Sequence, residues 1–394
     1  MPESLEAWLE KISEVHPVGW DLGLERVGTV ARRLEVLKPA SKVVLVAGTN
    51  GKGSTCEYLS AICLAAGLRV GKSTSPHLFR FNERICVDGE PVTDAEIVAA
   101  FEQIDRARGE TSLTYFEFAT LASLWIFKQA GLDLAVLEIG LGGRLDAMNI
   151  VDPDLAVITS ISMDHESWLG DNREAIGREK AGILRSQVPC VLADPEPPLS
   201  VLEEAERLAV PLHRVTDKDL PDQSLGLQLP ALSYVAAVQA AGLMGINLSK
   251  PEQKRIARDT GLLGRRTWID WRCPVLLDVA HNPAAAEHLA EFIRRDLKGR
   301  RIHVVSGMYA DKDIDGVYSC LVPLVESWHL VDLDEQRAAS AAALASHLAG
   351  VGQVSTYANI AEAVSSLEAA VDAEDIVLVT GSFPVVAAGL QRFG

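Results

Sequence analysis

Residues 46–55 read VAGTNGKGST, placing three glycines, a lysine and a serine in the seven positions from Gly48 to Ser54, directly after an apolar run. Glycines let a loop turn its backbone N–H groups toward one point, and a helix starting just afterwards adds its positive end there. An anion suits such a place, and phosphate is the obvious one. Gly48, Thr49, Asn50, Gly51, Lys52, Gly53 and Ser54 would form the cradle, with Lys52 neutralising phosphate oxygens and the Ser54 hydroxyl facing an oxygen or Mg²⁺. The spacing departs from the common nucleotide loop G-x-x-x-x-G-K-[ST], because Gly53 separates Lys52 from Ser54. A plain glycine turn is the competing reading.

Further candidates stand where apolar runs end. Glu138 is the acid in AVLEIG, just before Gly140, Gly142 and Gly143. A carboxylate at the C-terminal end of a parallel strand lies where such sheets bind ligands, and Mg²⁺ requires hard oxygen donors. As a structural acid it would need a partner. Asp164 and His165 follow ITSISM, and Ser75 follows GLRVGKS; a turn histidine and a loop serine are the bland alternatives. Further on, VLLDVAHNP sets Asp278, His281 and Asn282 at another run's end, with Arg265 and Arg266 ahead of it. An acid accepting from a ribose hydroxyl and an arginine meeting phosphate would make a far wall for a nucleotide; a hinge salt bridge is equally consistent.

The elements that must hold these residues follow from the pattern. Leu5, Trp8, Leu9 and Ile12 have helical spacing, as does ERVGTVARRLEVL. The runs KVVLVAG, LDLAVLEIG, DLAVITSI and VPCVLA alternate with helix-like text, predicting a mainly parallel sheet covered by helices. A polar stretch at 213–230 and the segment 264–272 are both possible borders; the second is preferred, because the alanine-rich helix between them can still cover the first sheet. The expected division is 1–263 as a phosphate-loop ATPase-type domain, 264–272 as a hinge and 273–394 as a smaller Rossmann-like α/β domain. A net charge of -17 disfavours nucleic acid and anionic membranes as partners. Six scattered cysteines without a C-x-x-C pair fit a reducing cytoplasm, and no apolar run is long enough to span a bilayer.

Taken in order, VAGTNGKGST, SPHLFRFNERI, YFEFAT, EIGLGGRLDAMN, DHESWLG, EKAGI, LGR and DVAHNP closely resemble the folylpolyglutamate synthase family of Mur-type ligases over nearly the whole chain. The resemblance implies an ATP-dependent amide-forming ligase: a carboxylate is phosphorylated to an acyl phosphate, and the amine of L-glutamate displaces the phosphate. It implies Ser75, Glu138 and His165 as ligands of Mg²⁺ (two ions), and Lys180 as a lysine modified by CO₂ to N6-carboxylysine, although chemistry alone reads Lys180 as helix surface. Lys52, Glu138, His165, Lys180 and His281 become the catalytic set, and Arg265 and Asp278 nucleotide contacts, with ATP expected between the domains. Ser233 stands where the family often has an asparagine at adenine.

Within that family some members only lengthen glutamate tails, whereas others also convert 7,8-dihydropteroate to dihydrofolate. WDLGLERV, at 20–27, resembles the pterin-side segment of the bifunctional bacterial members. Asp21, Leu22 and Gly23, Thr114, Tyr115, Phe116 and Glu117, and Leu145, Asp146 and Ala147 would line that pocket. The expected partners are small molecules, namely 7,8-dihydropteroate, reduced folates and L-glutamate, acting on a monomer. A monofunctional folylpolyglutamate synthase is the nearest alternative, a cell wall Mur ligase a more distant one, and an inactive nucleotide-binding regulatory protein the alternative from another class.

Overall fold

The structure is a computed structural model that describes residues 3–18, 21–221 and 225–394. Trp20 of the WDLG segment and residues 222–224 of the polar stretch lie outside the described residues. The chain divides into two units, Met1–Thr260 and Gly261–Gly394.

In the first unit the apolar runs become strands: β1 (Ala40–Ala47), β2 (Val70–Ser73), β3 (Ile85–Val87), β4 (Glu90–Pro91), β5 (Leu132–Glu138), β6 (Leu155–Ile158), β7 (Cys190–Leu192) and β8 (Leu212–Arg214). Their order in the sheet is β4-β3-β2-β5-β1-β6-β7-β8. From β2 to β8 every pairing is parallel, and β3 and β4 add an antiparallel edge. Central strands are buried on both faces, which is why their sequences lack polar alternation. Helices Leu5–Glu14, Asp94–Arg108 and Tyr115–Ala130 pack through Trp8, Phe101 and Phe118, with ring centroids 5.9 and 6.0 Å apart. This parallel order brings the ends of β2, β5, β1 and β6 side by side, and each is followed by a loop carrying candidate residues.

The second unit holds β9 (Thr267–Asp270), β10 (Pro274–Asp278), β11 (Ile302–Ser306), β12 (Ser327–Val331), β13 (Gln353–Tyr357) and β14 (Ile376–Thr380), ordered β13-β12-β11-β14-β10-β9. Only β9 pairs antiparallel. It lies inside the 264–272 segment read as a hinge, where alternating burial (Trp268 and Asp270 exposed) hides an edge strand from a search for apolar runs.

A largely buried polar chain runs across this second sheet, from the starts of β14 and β11 through β12 to the end of β13. Asp375 Oδ2 lies 3.4 Å from His303 Nε2, and His303 Nδ1 lies 2.8 Å from the Ser327 hydroxyl. Ser327 Oγ meets His329 Nε2 at 3.0 Å, and His329 Nδ1 meets the Tyr357 hydroxyl at 3.1 Å. Burial, reinforced by His303, lowers the His329 pKa from 6.5 to about 4. The unfolded chain therefore takes up this proton more readily than the folded one. Stability is complete above pH 6.5 and falls as pH drops toward 4, a loss worth up to about 3 kcal/mol. We expect His329→Gln to flatten the decline in urea midpoint between pH 7.5 and 4.5 relative to wild type. An unchanged slope would show that His329 does not carry this dependence.

Candidate functional site

The loop after β1 is a glycine-shaped cradle. Gly48 (φ 150°) and Gly51 (φ 86°) hold backbone angles that side chains rarely adopt, and a Cβ at Gly48 would overlap the Thr159 side chain. Gly51 caps helix Lys52–Ala65 without any side-chain cap bond. The first-turn amides of Lys52, Gly53 and Ser54 precede the first intrahelical donor, Thr55 N, which bonds Gly51 O at 2.9 Å. They are the amides that a helix start offers to an anion.

Loop and β6 are laced together by residues that the sequence reading did not single out. Thr49 N donates to Ser160 O (2.7 Å), the Thr49 hydroxyl donates to Ser162 O (3.1 Å) and accepts from Ser162 N (3.0 Å), and Ser160 Oγ donates to Asn50 O (3.2 Å). The same segment is pinned beyond by Ile161 N to Asp194 Oδ2 (2.6 Å) and Arg173 Nε to Ile161 O (2.9 Å). The ties between the two loops span more than a hundred residues of sequence, and all of them use backbone atoms, so no local pattern announces them. Three residues on from Ser162, His165 takes a left-handed conformation (φ 54°) and heads the short helix Glu166–Leu169; its Nε2 is 3.9 Å from Asp164 Oδ2.

Glu138 ends β5, opposite Val46 of β1, and is 5% exposed. Ser75 N donates to Glu138 Oε2 at 3.0 Å, so two of the predicted metal ligands are in direct contact. They line one pocket with Ser73, Arg84, Phe116, Thr120, Ser123 and Met148. Among the described residues no group of three His, Cys, Asp or Glu side chains could hold a metal unaided. A magnesium site here would include the Glu138 carboxylate and the Ser75 hydroxyl, hard-oxygen donors that suit that ion.

Lys180 is not helix surface. It is 3% exposed near the end of helix Arg173–Ala181, and its Nζ donates to Gly48 O at 2.8 Å. The glycines of GLGGR explain how that helix comes so close: a Cβ on Gly143 would lie 2.7 Å from Glu179 O and 3.0 Å from Lys180 O. Arg144 N to Glu179 O (2.8 Å) and Asn149 Nδ2 to Gly182 O (3.0 Å) complete the joint. Burial, with the positive charge of Lys52 second, lowers the Lys180 pKa to about 7. Lys52 itself folds back so that Nζ donates to Gly48 O and Thr49 O, both at 3.2 Å.

Several predicted substrate contacts turn out to have their polar atoms engaged internally. Thr114 and Glu117 form a capping box at helix Tyr115–Ala130 (Thr114 N to Glu117 Oε2 2.7 Å, Glu117 N to Thr114 Oγ1 3.2 Å). Asp146, 1% exposed, accepts from Leu141 N (2.8 Å) and Met148 N (2.9 Å), and burial raises its pKa to about 6. Leu145 and Ala147 flank it in the same loop, half-buried and buried respectively. Arg26 joins the N-terminal segment to the capping box, with Nη1 2.5 Å from Asp21 Oδ2 and Nη2 3.3 Å from Glu117 Oε1; Leu22 and Gly23 follow, half-buried. Tyr115 and Phe116 are also half-buried, and Phe116 reaches the Glu138 pocket. Ser233, expected at an adenine, is 2% exposed and donates to Gly51 O at 3.3 Å, so it braces the loop from behind.

In the second unit Asp278, at the end of β10, accepts from Arg266 N (3.1 Å) and Ala280 N (3.0 Å), and burial raises its pKa against the pull of Arg265 and Arg266. The Arg265 guanidinium lies 5.1 Å from the Phe383 ring. His281 Nδ1 is 2.8 Å from Val279 O, which makes Nδ1 the protonated nitrogen. Asn282 caps helix Pro283–Asp296.

Comparison with known proteins adds the following. Residues 46–196 match the Mur ligase middle domain, and residues 264–383 match the Mur ligase, glutamate ligase domain. The chain is 44% identical to the dihydrofolate synthase/folylpolyglutamate synthase of Escherichia coli strain K12, across 97% of this chain and 94% of that protein. The Bacillus subtilis dihydrofolate synthase/folylpolyglutamate synthase is 31% identical across 91% and 92%. Among solved structures, Escherichia coli FolC in complex with DHPP and ADP superposes with a TM-score of 0.94 at 42% identity, covering 99% of this chain and 98% of that one. The bifunctional folylpolyglutamate synthase/dihydrofolate synthase of Yersinia pestis, complexed with AMPPNP and Mn ion, gives 0.93 at 41%, covering 99% of each.

The contact behind Gly51 can be measured. Gly51 and Gly67 both have positive φ (86° and 82°), but a Cβ at Gly51 would lie 2.9 Å from Ser233 Oγ, whereas one at Gly67 meets nothing within 4 Å. Gly67→Ala should cost about 1–2 kcal/mol in urea unfolding for conformation alone. Gly51→Ala should cost more, and Ser233→Ala added to it should recover part of the excess. Equal losses for the two glycine variants would remove the steric argument.

Proposed function

The chain belongs to the dihydrofolate synthase/folylpolyglutamate synthase family of Mur-type ligases, and on that premise we propose how its residues carry out ATP-dependent addition of L-glutamate to 7,8-dihydropteroate and to reduced folates. The observation that carries this reading is the adjacency of the glycine cradle and Glu138 at neighbouring parallel strand ends, with the buried Lys180 amine on the cradle's own carbonyl. A carboxylate is a poor electrophile. Transfer of the γ-phosphoryl group to an acceptor carboxylate oxygen gives an acyl phosphate and ADP. The glutamate amine then attacks the acyl carbon, phosphate leaves and the amine loses a proton.

In this reading the amides of Lys52, Gly53 and Ser54 hold the phosphates, and the Lys52 ammonium swings from the Gly48 and Thr49 carbonyls to the oxygens where charge develops. Glu138, Ser75 and His165 would hold Mg²⁺, which when bound supplies charge neutralisation on the transferring phosphoryl group. Lys180 is proposed to carry a carbamate. Carbamate formation needs a neutral amine, and the depressed pKa, about 7, supports a substantial neutral fraction at physiological pH. The adduct replaces a second cation near Lys52 by a carboxylate. In the second unit, Arg265 and Asp278 are proposed as nucleotide contacts, with His281 beside them. Tyr115 and Phe116 would present ring faces to a flat acceptor, and Asp21, Leu22, Gly23, Leu145 and Ala147 its remaining walls. Thr114, Glu117 and Asp146 would serve by shaping those walls, given where their polar atoms are spent.

Phosphate release with Mg-ATP and L-glutamate should rise above the blank with either dihydropteroate or tetrahydrofolate. Release with tetrahydrofolate alone would make the chain monofunctional, and release with neither would leave a nucleotide-binding protein without the chemistry. Lys52→Ala should lower kcat at least a hundredfold with an unchanged far-UV spectrum. For Lys180, protein equilibrated with ¹³C-bicarbonate should show a carbamate carbon resonance that Lys180→Ala lacks, and exclusion of CO₂ should lower activity reversibly. An active, resonance-free wild type would return Lys180 to the role of a buried loop brace.

A further inference from the structure

The pocket beside Glu138 holds a cation that none of the roles above uses. Arg84 closes the short turn Phe81–Arg84, between the loop after β2 and β3. It is the single positively charged residue lining the pocket with Ser75, Phe116 and Glu138. Its guanidinium is held from one side only. Nε donates to His77 Nδ1 at 2.7 Å; because arginine has no acceptor, that ring nitrogen must present its lone pair. The Phe81 and Tyr115 ring centroids each lie 5.7 Å from Cζ, so two aromatic rings flank the guanidinium.

No carboxylate pairs with it among the described residues. The acid next in sequence, Glu83, is already committed: its oxygens accept from Leu78 N (2.7 Å), Phe79 N (2.8 Å) and Arg80 N (2.7 Å). Glu138 shares the pocket, accepts from Ser75 N and attracts the Arg84 charge without hydrogen-bonding to it. A half-buried guanidinium, oriented by a histidine and flanked by two rings, with Nη1 and Nη2 making no hydrogen bond among the described residues, is built to meet a planar anion in two-point fashion.

We propose that Arg84 binds the carboxylate of the acyl acceptor through Nη1 and Nη2, and so holds the reacting group at the end of β5 beside Glu138. The inference rests on the ligase reading and deepens it, by assigning the residue that recognises the acceptor's charge. A carboxylate fits better than phosphate here, because the phosphate-binding amides belong to the loop after β1, and one planar fork, the pocket's single cationic side chain, matches a single two-oxygen group.

The test compares dihydropteroate with its carboxamide, in which the reacting carboxylate is replaced by an amide, in wild type, Arg84→Gln and Arg84→Lys. Binding is read by equilibrium fluorescence and turnover by phosphate release. Wild type should prefer the carboxylate roughly tenfold to a hundredfold, and Arg84→Gln should bind both alike. In turnover, KM for dihydropteroate should rise by a similar factor, with KM for ATP and for L-glutamate changed less than twofold. Arg84→Lys should recover only part, because it offers a point charge in place of a fork. Retained discrimination in Arg84→Gln would overturn the proposal, as would a KM change falling on L-glutamate or ATP. Failure of wild type to bind dihydropteroate at all would instead overturn the ligase reading, and this proposal with it.

Discussion

Two lysine side chains converge on one backbone carbonyl, that of Gly48, and much of the first unit is arranged to permit this. Lys180 donates to it at 2.8 Å and Lys52 at 3.2 Å. Two like charges so close, one of them buried, oppose each other unless a proton leaves or an anion arrives. The drop of the Lys180 pKa to about 7, caused first by burial and then by Lys52, favours the first escape, and a polyphosphate on the loop would supply the second. Reaching that carbonyl requires three backbone approaches that side chains would block: Gly48 on Thr159, Gly143 on the carbonyls of Glu179 and Lys180, and Gly182 on Arg144. The glycines of GTNGKGS and GLGGR are thus parts of one joint, although about ninety residues separate them. The first set shapes the anion cradle, and the second brings up the helix that carries Lys180.

Much of this was legible in the chain. Apolar runs marked the central strands, and polar residues just beyond them marked the ligand edge, because a parallel sheet buried on both faces leaves strand ends as the natural place for polar chemistry. Glu138 and the loop after β1 were found that way. Lys180 was not. On a helix reading NREAIGREKA its neighbours are charged, and only its packing against Gly143 and Gly48, far away in sequence, shows that it is buried. The edge strands β9 and β13 escaped for a related reason: half-exposed strands carry polar residues that an apolar-run search skips. Thr159, Ser160, Ser162, Arg173 and Asp194 act through backbone bonds to distant loops, and residue type alone cannot announce such a role.

Polar residues around the pocket separate into two kinds by what their atoms touch. Glu83, Glu117 and Asp146 face inward and accept from backbone amides, so their charge stiffens loops and leaves little for a ligand. Arg84, whose Nε is held by His77, and Glu138, which accepts from Ser75 N, line a common space. The first group explains why the second can stay fixed: a carboxylate that ties three consecutive amides at Leu78, Phe79 and Arg80 sets the turn from which Arg84 emerges. Opposite charges thus share one small pocket, lined otherwise by Phe116, Met148, Ala119 and hydroxyl groups. That shape follows from the order of strands, because β2 and β5 are neighbours and their loops must meet at the same edge.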